Sequence, residues 1–525
     1  MCGINGVISY QRPVDMAVIE QMNRVIKHRG PDGEGVYHSE NNICSLGHVR
    51  LSIIDVEGSK QPLCNEDGSV WITFNGEIYN YRELRQRLIQ RGHKFQTHGD
   101  TETLVHLYEE YGTEMLSHLY GMFAFAIWDT KQKSLFLVRD RMGIKPVFYY
   151  YDNKTFIFSS EQKGVLQHPD VNIQPSEEAI WHYLTFRSVP APGTLYKGIK
   201  KLLPGHYLYL SENGITGNQY WDIPLSIHPD GNIDDREVIE KTEVILKKSI
   251  QRRLISDVPL GSFLSGGVDS SLIVAMMSQM TSEPVKTFTV GFENFKSNEA
   301  PYAKIVADQY KTEHHELILK EDIFLDHLEQ LTVLRDAPLS EPADIPLYLL
   351  SKMANREVKV LLSGEGCDEL FAGYPKYQYD GKSDWVNWMP EKLKSSLINV
   401  IPSKYRKIEV ALKAMFESNY SERWPLWFAP FSIQEKRKLM VNAVEYDNPI
   451  ADYVSRYQLN DSLSSFLFCD CKVWLPDNLL DRGDRMTMGA GIEGRVPFLD
   501  HDLVEYAFSL PDRYKIIPFI KSNCA

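Results

Sequence analysis

Apolar positions along the chain fall into two patterns. In the first two hundred residues they come as short runs between turns. Gly3 to Ile8, His48 to Asp55, Trp71 to Phe74, Val147 to Tyr151 and Thr155 to Ser160 read as strands. Met122 to Trp128 and Leu135 to Asp140, separated by the polar stretch 129–134, predict a hairpin. Helical spacing is confined to Asp15 to Ile26, Tyr81 to Gln90 and Leu104 to Tyr111. Many strands with few helices predict a layered sandwich. From Val238 the pattern changes. A helix to about Leu254 is followed by the apolar run Val258 to Phe263, a glycine turn, and a helix from Leu272. Strands at Val285 to Phe292, His315 to Leu319 and Val358 to Leu362 then alternate with helices at Ala300 to Tyr310 and Ile345 to Ala354. That alternation predicts a parallel sheet covered by helices, with ligands at the carboxyl ends of its strands. Proline and glycine punctuate 189–224 and polar residues fill 227–235, which marks a domain boundary. The division expected is 2–215, a linker at 216–237, and 238–525.

Length and composition restrict what such a chain does. At 525 residues it accommodates two domains with sizeable cores. A net charge of −13 and the lack of any dense basic cluster argue against nucleic acid as a partner. Lys247, Lys248, Arg252 and Arg253 read as a solvated helix face. Seven scattered cysteines make no disulfide framework, and Cys469-Asp-Cys471 lacks zinc-knuckle spacing, so reduced thiols and a cytoplasmic location are expected. No run reaches the ~18 apolar residues of a membrane span, and the first residues carry no signal-peptide pattern.

Candidate chemistry concentrates at the strand ends of the second half. In Leu264-Ser265-Gly266-Gly267-Val268-Asp269-Ser270-Ser271, glycines let backbone N–H groups approach an anion while the following helix adds its dipole. In this loop Asp269 and serines follow the glycines directly, where a Walker A loop needs Gly-Lys-Ser/Thr, so γ-phosphoryl transfer is not indicated. Ser363-Gly364-Glu365-Gly366-Cys367-Asp368-Glu369 is a second glycine turn, loaded with acids. Beside a triphosphate such acids suit Mg2+ or an acceptor amine; in isolation a helix first turn is the better reading. His314-His315 reads as a strand-edge pair, since no further ligand has suitable spacing. Glu341 and Asp344 fall in a proline-rich loop, where they favour an amine-bearing acceptor if they face the pocket.

At the other end, Cys2 follows the initiator. With Met1 trimmed, it offers a thiol and an α-amine of pKa ~7.7 to 8.0 that serves as general base. Taken alone, Cys2 reads better as a buried cysteine near a terminus. Arg50 opens a strand, and its planar fork suits a carboxylate. Asn75 and Gly76 at a strand end supply oxyanion donors. Asp100 precedes a helix as cap, ligand, or both.

Cys2-Gly-Ile, His28-Arg-Gly-Pro-Asp32, Arg50-Leu-Ser-Ile, Asn75-Gly-Glu-Ile-Tyr-Asn80, Gly99-Asp100 and Ser265-Gly-Gly-Val-Asp-Ser-Ser271 together resemble the glutamine-hydrolysing asparagine synthetase family, across nearly the whole chain. The resemblance implies a two-domain α/β fold: an N-terminal αββα Ntn-hydrolase glutaminase and a C-terminal Rossmann-like, PP-loop ATP-pyrophosphatase. It implies that Cys2 attacks glutamine. Arg50 and the backbone of Leu51, Ser52, Ile53 and Ile54 would hold the glutamine carboxylate, Glu77 and Asp100 its α-amine, and Asn75 with Gly76 the oxyanion. ATP would meet Leu264, Ser265, Gly266, Gly267, Asp269, Ser270, Val290, Ser363 and Gly364. Glu365 would act as a base toward ammonia, with Asp269 and Asp368 as Mg2+ ligands and Glu493 with Arg495 as a buried brace. Ammonia would cross an apolar passage to an adenylated carboxylate. L-aspartate is the preferred acceptor, a sugar uronate or natural-product intermediate the alternative, and a glutaminase with a disabled synthetase half a third reading. Small molecules, and room for a homodimer, complete the expected partners. Family members usually continue past the segment matching Lys515 to a lysine that reaches ATP phosphates. Lys521 is not assumed to replace it, so a weakened synthetase half is an expectation.

Overall fold

The computed structural model describes residues 2–225, 234–293, 298–320, 323–380, 386, 388–402, 405–441, 444–460 and 462–516. In the first half, β1 (Gly3–Ser9), β2 (Gly33–His38), β3 (Cys44–Arg50), β4 (Leu63–Cys64), β5 (Val70–Ile78) and β6 (Gly121–Asp129) precede β7 (Ser134–Arg139), β8 (Phe148–Tyr151), β9 (Thr155–Ser159), β10 (Ile199–Lys201), β11 (His206–Ser211) and β12 (Gly214–Gln219). They make two six-stranded sheets, ordered β10-β8-β9-β1-β3-β2 and β12-β11-β7-β6-β5-β4. Ile4, Ile8 and Phe158 from one sheet meet Ala124, Trp128 and Leu137 from the other in a buried layer. That layer explains the strongly apolar, aromatic strands.

Helices cover the outer faces. Ile19 and Met22 of α1 (Met16–Val25) bury against Val7 and Ile157. Leu84 and Leu88 of α2 (Tyr81–Gln90), and Leu104 of α3 (Thr101–Tyr111), join a cluster with Phe74 and Phe125. A short helix, α4 (Gln162–Val165), and the ten-residue α5 (Glu177–Phe186) follow. The αββα sandwich is therefore as expected, with one correction at its end. The boundary placed at 215 cuts β12, whose residues 214–219 pair antiparallel with β11 from Ser211 back to His206. Polar residues on this edge strand concealed it, as edges tolerate them.

In the second half, α6 (Asp235–Arg253) leads into β13 (Leu260–Phe263), α7 (Val268–Met280), β14 (Lys286–Phe292), α8 (Ala300–Tyr310) and β15 (Glu313–Leu319). Next come α9 (Ile323–Arg335), α10 (Asp344–Ala354), β16 (Val360–Leu362), α11 (Cys367–Phe371) and, far along the chain, β17 (Glu493–Arg495). The sheet order is β15-β14-β13-β16-β17, with every pairing parallel. Chain direction across the sheet reverses between β13 and β16, which opens a crevice at their carboxyl ends. His314 and His315 lie on the edge strand β15. Helices from Pro375–Asp380 to Asp481–Gly489 build the remaining body around Trp424, Phe466 and Leu475.

The halves are joined by buried charges. Arg29 Nη1 lies 2.9 Å from Glu161 Oε1, Arg29 Nη2 lies 2.7 Å from Asp484 Oδ2, and Arg485 Nη1 lies 3.1 Å from Glu161 Oε2. Part of the expected solvated basic face on α6 is likewise buried: Arg253 pairs with Asp500 at 3.0 Å, and Arg252 reaches Asp500 and Asp502. A charge exposed on an isolated helix is buried here because the C-terminal segment packs over it.

Candidate active sites

Cys2 sits at the start of β1, buried, with its backbone N–H donating to Asn75 Oδ1 at 3.0 Å and its Sγ 3.9 Å from the Leu51 carbonyl. Burial pushes the thiol pKa up, so the thiol needs a base before it can attack. The Asn75 amide nitrogen Nδ2 is buried without a hydrogen-bond partner. A buried donor left open beside a nucleophile suits an oxygen that becomes negative during reaction. Gly76 follows, and a Cβ there would stand 2.1 Å from the Met122 carbonyl oxygen, so only glycine fits against β6. Against glutamine, the substrate the resemblance implies, Asn75→Ala is expected to lower kcat about a hundred-fold. Asn75→Asp, which keeps the acceptor for Cys2 and loses the donor, should fall comparably; wild-type turnover in that variant would remove Asn75 from the oxyanion role.

Around Cys2 the remaining predicted residues converge, with one difference. The Arg50 guanidinium donates to the carbonyls of Val56 at 2.8 Å and Asp55 at 2.7 Å, bracing the 51–58 loop. Leu51, Ile53 and Ile54 are buried on that loop, and Ser52 N donates to Asp32 Oδ2 at 2.9 Å. Two acids close the far side. Asp100 occupies the N-cap position of α3 yet makes no capping bond; its Oδ2 accepts from Ile78 N at 2.9 Å instead. Glu77 is buried with Oε2 unpartnered, and its Oε1 lies 3.7 Å from Arg495 Nη2. Burial, then the nearby carboxylates of Glu493 and Asp100, drive the Glu77 pKa well up, and burial raises Asp100 to about 6. Two crowded acids with an open oxygen favour an ammonium group. Below its pKa Asp100 becomes neutral and loses its attraction for a cation. KM for glutamine is therefore expected to rise as pH falls through about 6. In Asp100→Asn, KM should be raised throughout and lose that inflection; a wild-type profile unchanged between about pH 8 and about pH 5 would contradict this.

The second site lies in the crevice between β13 and β16. A cavity of about 420 Å3 there is lined by Leu264, Ser265, Gly267, Asp269, Ser270 and Val290, and across from them by Ser363, Gly364, Glu365 and Asp368. Gly266 is not on its surface: φ of +80° and the backbone of Tyr302 and Ala303, within 2.6 Å of any added Cβ, make it the hinge of the turn. The two glycine turns touch, since a Cβ at Gly364 would lie 3.1 Å from that of Asp269. Burial and the charge of Asp269 raise Asp368 to about 6. Glu365 Oε1 is 2.9 Å from Arg482 Nη2, and both line the cavity. Glu341 and Asp344 do not line it; Glu341 pairs with Arg187 at 3.1 Å and Asp344 is buried at the start of α10. Lys521 lies outside the described residues.

Residues not anticipated from sequence connect the sites. Arg29 Nε donates to the Cys2 carbonyl at 3.1 Å, while Asp484, which Arg29 also grips, lines the β13/β16 cavity beside Lys145 and Ile144 of the first domain. A second link is direct: Asp55 N donates to Asp257 Oδ2 at 2.8 Å and Asp257 N to the Ile53 carbonyl at 3.1 Å, just ahead of β13. The Glu493–Arg495 pair, 2.5 Å apart and buried, stands behind Glu77 as expected of a brace.

Comparison with known proteins agrees with this arrangement. Residues 1–221 match the family described as glutamine amidotransferase domain, and residues 241–521 match asparagine synthase. The chain is 32% identical over 535 residues to asparagine synthetase [glutamine-hydrolyzing] 3 of Bacillus subtilis, covering 98% of this chain and 82% of that protein. It is 36% identical over 529 residues to asparagine synthetase [glutamine-hydrolyzing] 1 of the same organism, with 98% and 82% covered. It is also 29% identical over 572 residues to amidase chry2 of Gibberella zeae, with 98% and 83% covered. Among the described residues no helix is long and apolar enough to cross a membrane. A buried thiol near an unpartnered Asn75 amide in one domain, a crevice between two glycine turns in the other, and a match to both halves in order place the chain in the glutamine-hydrolysing asparagine synthetase family, as an ATP-dependent enzyme that uses glutamine nitrogen for amidation.

Proposed function

We propose that the enzyme converts L-aspartate to L-asparagine, with release of AMP and pyrophosphate. The observation that carries this reading is the mixed charge of the cavity at the β13/β16 crevice. Arg482 stands there with Glu365 and Asp484, a set that suits an acceptor bearing both an amine and carboxylates. A sugar uronate offers no amine to the acids.

In this mechanism Cys2, freed of Met1, attacks the glutamine amide carbon. Its own α-amine takes the thiol proton and passes it to the departing ammonia. Asn75 Nδ2 and the Gly76 N–H receive the oxyanion, and water then releases glutamate from the thioester. In the second site the glycine turn after β13 receives the ATP phosphates, and the acceptor carboxylate attacks the α-phosphorus. Ammonia displaces AMP from the acyl-adenylate while Glu365 takes a proton from the attacking nitrogen. Mg2+ fits at Asp269 and Asp368: two adjacent carboxylates beside a phosphate turn repel one another without a cation, and Mg2+ commonly takes one or two carboxylates plus phosphate oxygens. When bound, it would neutralise charge on the leaving pyrophosphate.

The test is synthesis by the purified chain with glutamine, ATP and Mg2+, with and without L-aspartate, following AMP and asparagine together by mass spectrometry. Aspartate-dependent AMP matched by asparagine is expected. Glutamate release without either product would overturn the assignment, and aspartate-independent activation of another carboxylate would select the amidase-like alternative.

A further inference from the structure

Away from both sites, on the outer face of the glutaminase domain, three side chains aim their ligand atoms at one point. His93 lies on the segment joining α2 to α3, and His106 and Glu109 lie one turn apart on α3. His93 Nδ1 is 3.2 Å from His106 Nδ1, His106 Nδ1 is 2.7 Å from Glu109 Oε2, and His93 Nδ1 is 3.6 Å from the same oxygen. Ligands about 2.0 to 2.1 Å from a tetrahedral ion stand about 3.3 Å apart, so the triangle has the size of one face of such a site.

The other ends of these side chains are already committed. His93 Nε2 faces Glu110 Oε1 at 2.9 Å, and a carboxylate only accepts, so the ring carries its proton on Nε2 and turns the Nδ1 lone pair inward. Asn65 Nδ2 donates to Glu109 Oε1 at 2.7 Å, which leaves Oε2 for the shared point. His106 Nε2 is buried without a hydrogen bond and has Glu102 Oε1 3.8 Å away. Histidine ligands held from behind by carboxylates are the usual outer arrangement of zinc-class sites.

We infer that His93, His106 and Glu109 form a site for a divalent d-block cation of the zinc class, which clasps the 91–100 segment to α3. Binding would displace to solvent the proton held between His106 and Glu109. Solvent would complete the coordination, because His93 and Glu109 keep 14% and 26% side-chain exposure. The reaction needs nothing from this ion; its work is structural. Glu102 already accepts from Gln96 N at 2.8 Å and Thr97 N at 2.6 Å, so the ion would add a second tie to the segment that delivers Asp100.

The test uses the full chain, dialysed against chelator and returned to buffer with excess Mg2+ to fill oxygen-ligand sites. Co2+ should then give the intense visible bands of tetrahedral nitrogen and oxygen ligation, Zn2+ should abolish them at one equivalent, and Zn2+ should raise Tm. His93→Gln and Glu109→Gln, both at partly exposed positions, should weaken Zn2+ binding by more than about 100-fold while glutamine hydrolysis persists. A thiolate charge-transfer band, substoichiometric Zn2+, or unchanged binding in both variants would overturn the inference and leave a hydrogen-bonded histidine–glutamate network.

Discussion

Cys2→Ala is expected to lower glutamine hydrolysis by at least about 10,000-fold while ammonium salts continue to support AMP formation. Size is not the issue: alanine fills most of the same buried position, and the Cys2 N–H to Asn75 Oδ1 bond is made by backbone. What disappears is the thiol of the residue whose backbone N–H meets Asn75. The two donors that remain can polarise a glutamine amide, yet they have no nucleophile to deliver. Measuring glutamate release and AMP release on the same preparation separates the outcomes. If ammonium-driven AMP falls with glutamate, the substitution has disturbed the Arg29 and Asp484 connection between the sites, and Cys2 would have to be regarded as structural. Cys2→Ser sharpens the comparison, since it keeps the shape and hydrogen-bonding capacity but supplies a far weaker nucleophile.

Glu365→Gln is expected to have the converse effect. Asparagine formation should drop about 1,000-fold with either nitrogen source, and glutamine hydrolysis should stay close to wild type. The amide is isosteric and can still meet Arg482, so the loss of a proton acceptor is isolated from the loss of packing. Arg482 would be left without a charged partner, which is the main competing explanation for any loss. Pyrophosphate–ATP exchange in the presence of aspartate distinguishes the two. Exchange that survives while asparagine disappears places Glu365 after adenylation, at the attack by ammonia. Exchange that disappears as well places its role earlier, in forming the acyl-adenylate. Unaltered asparagine formation would remove it from the chemistry.

What the sequence made legible was chemistry held in short contiguous strings. Cys2, the Asn75-Gly76 pair and both glycine turns are local: each needs a particular residue type within a few positions of a strand end, and the alternation of apolar runs showed where those ends fall. α8 was readable because small apolar residues recur along one face at Ala300, Ala303 and Ala307. What was not legible depends on distant partners. Arg253 looked solvent-facing because Asp500, which buries it, lies nearly the length of the second domain away. Arg50 has a fork suited to a substrate carboxylate, and its bonds to loop carbonyls within six residues were not visible in the sequence. β12 was missed because an edge strand needs no alternation of apolar residues, and the histidine triangle because a turn brings His93 back onto α3.

Lys145 and Ile144 belong to the glutaminase domain and yet form part of the nucleotide cavity wall, facing Asp484. The halves are therefore not interchangeable parts. A chimera that grafts this glutaminase onto another synthetase half would bring a lysine to a wall that was shaped around a different neighbour. It would also separate Arg29 from the carboxylate that links it to the cavity. Recombination between relatives would conserve function most readily when the crossover carries Arg29, the 144–145 turn and Asp484 as one inherited unit, even though they are spread over most of the chain.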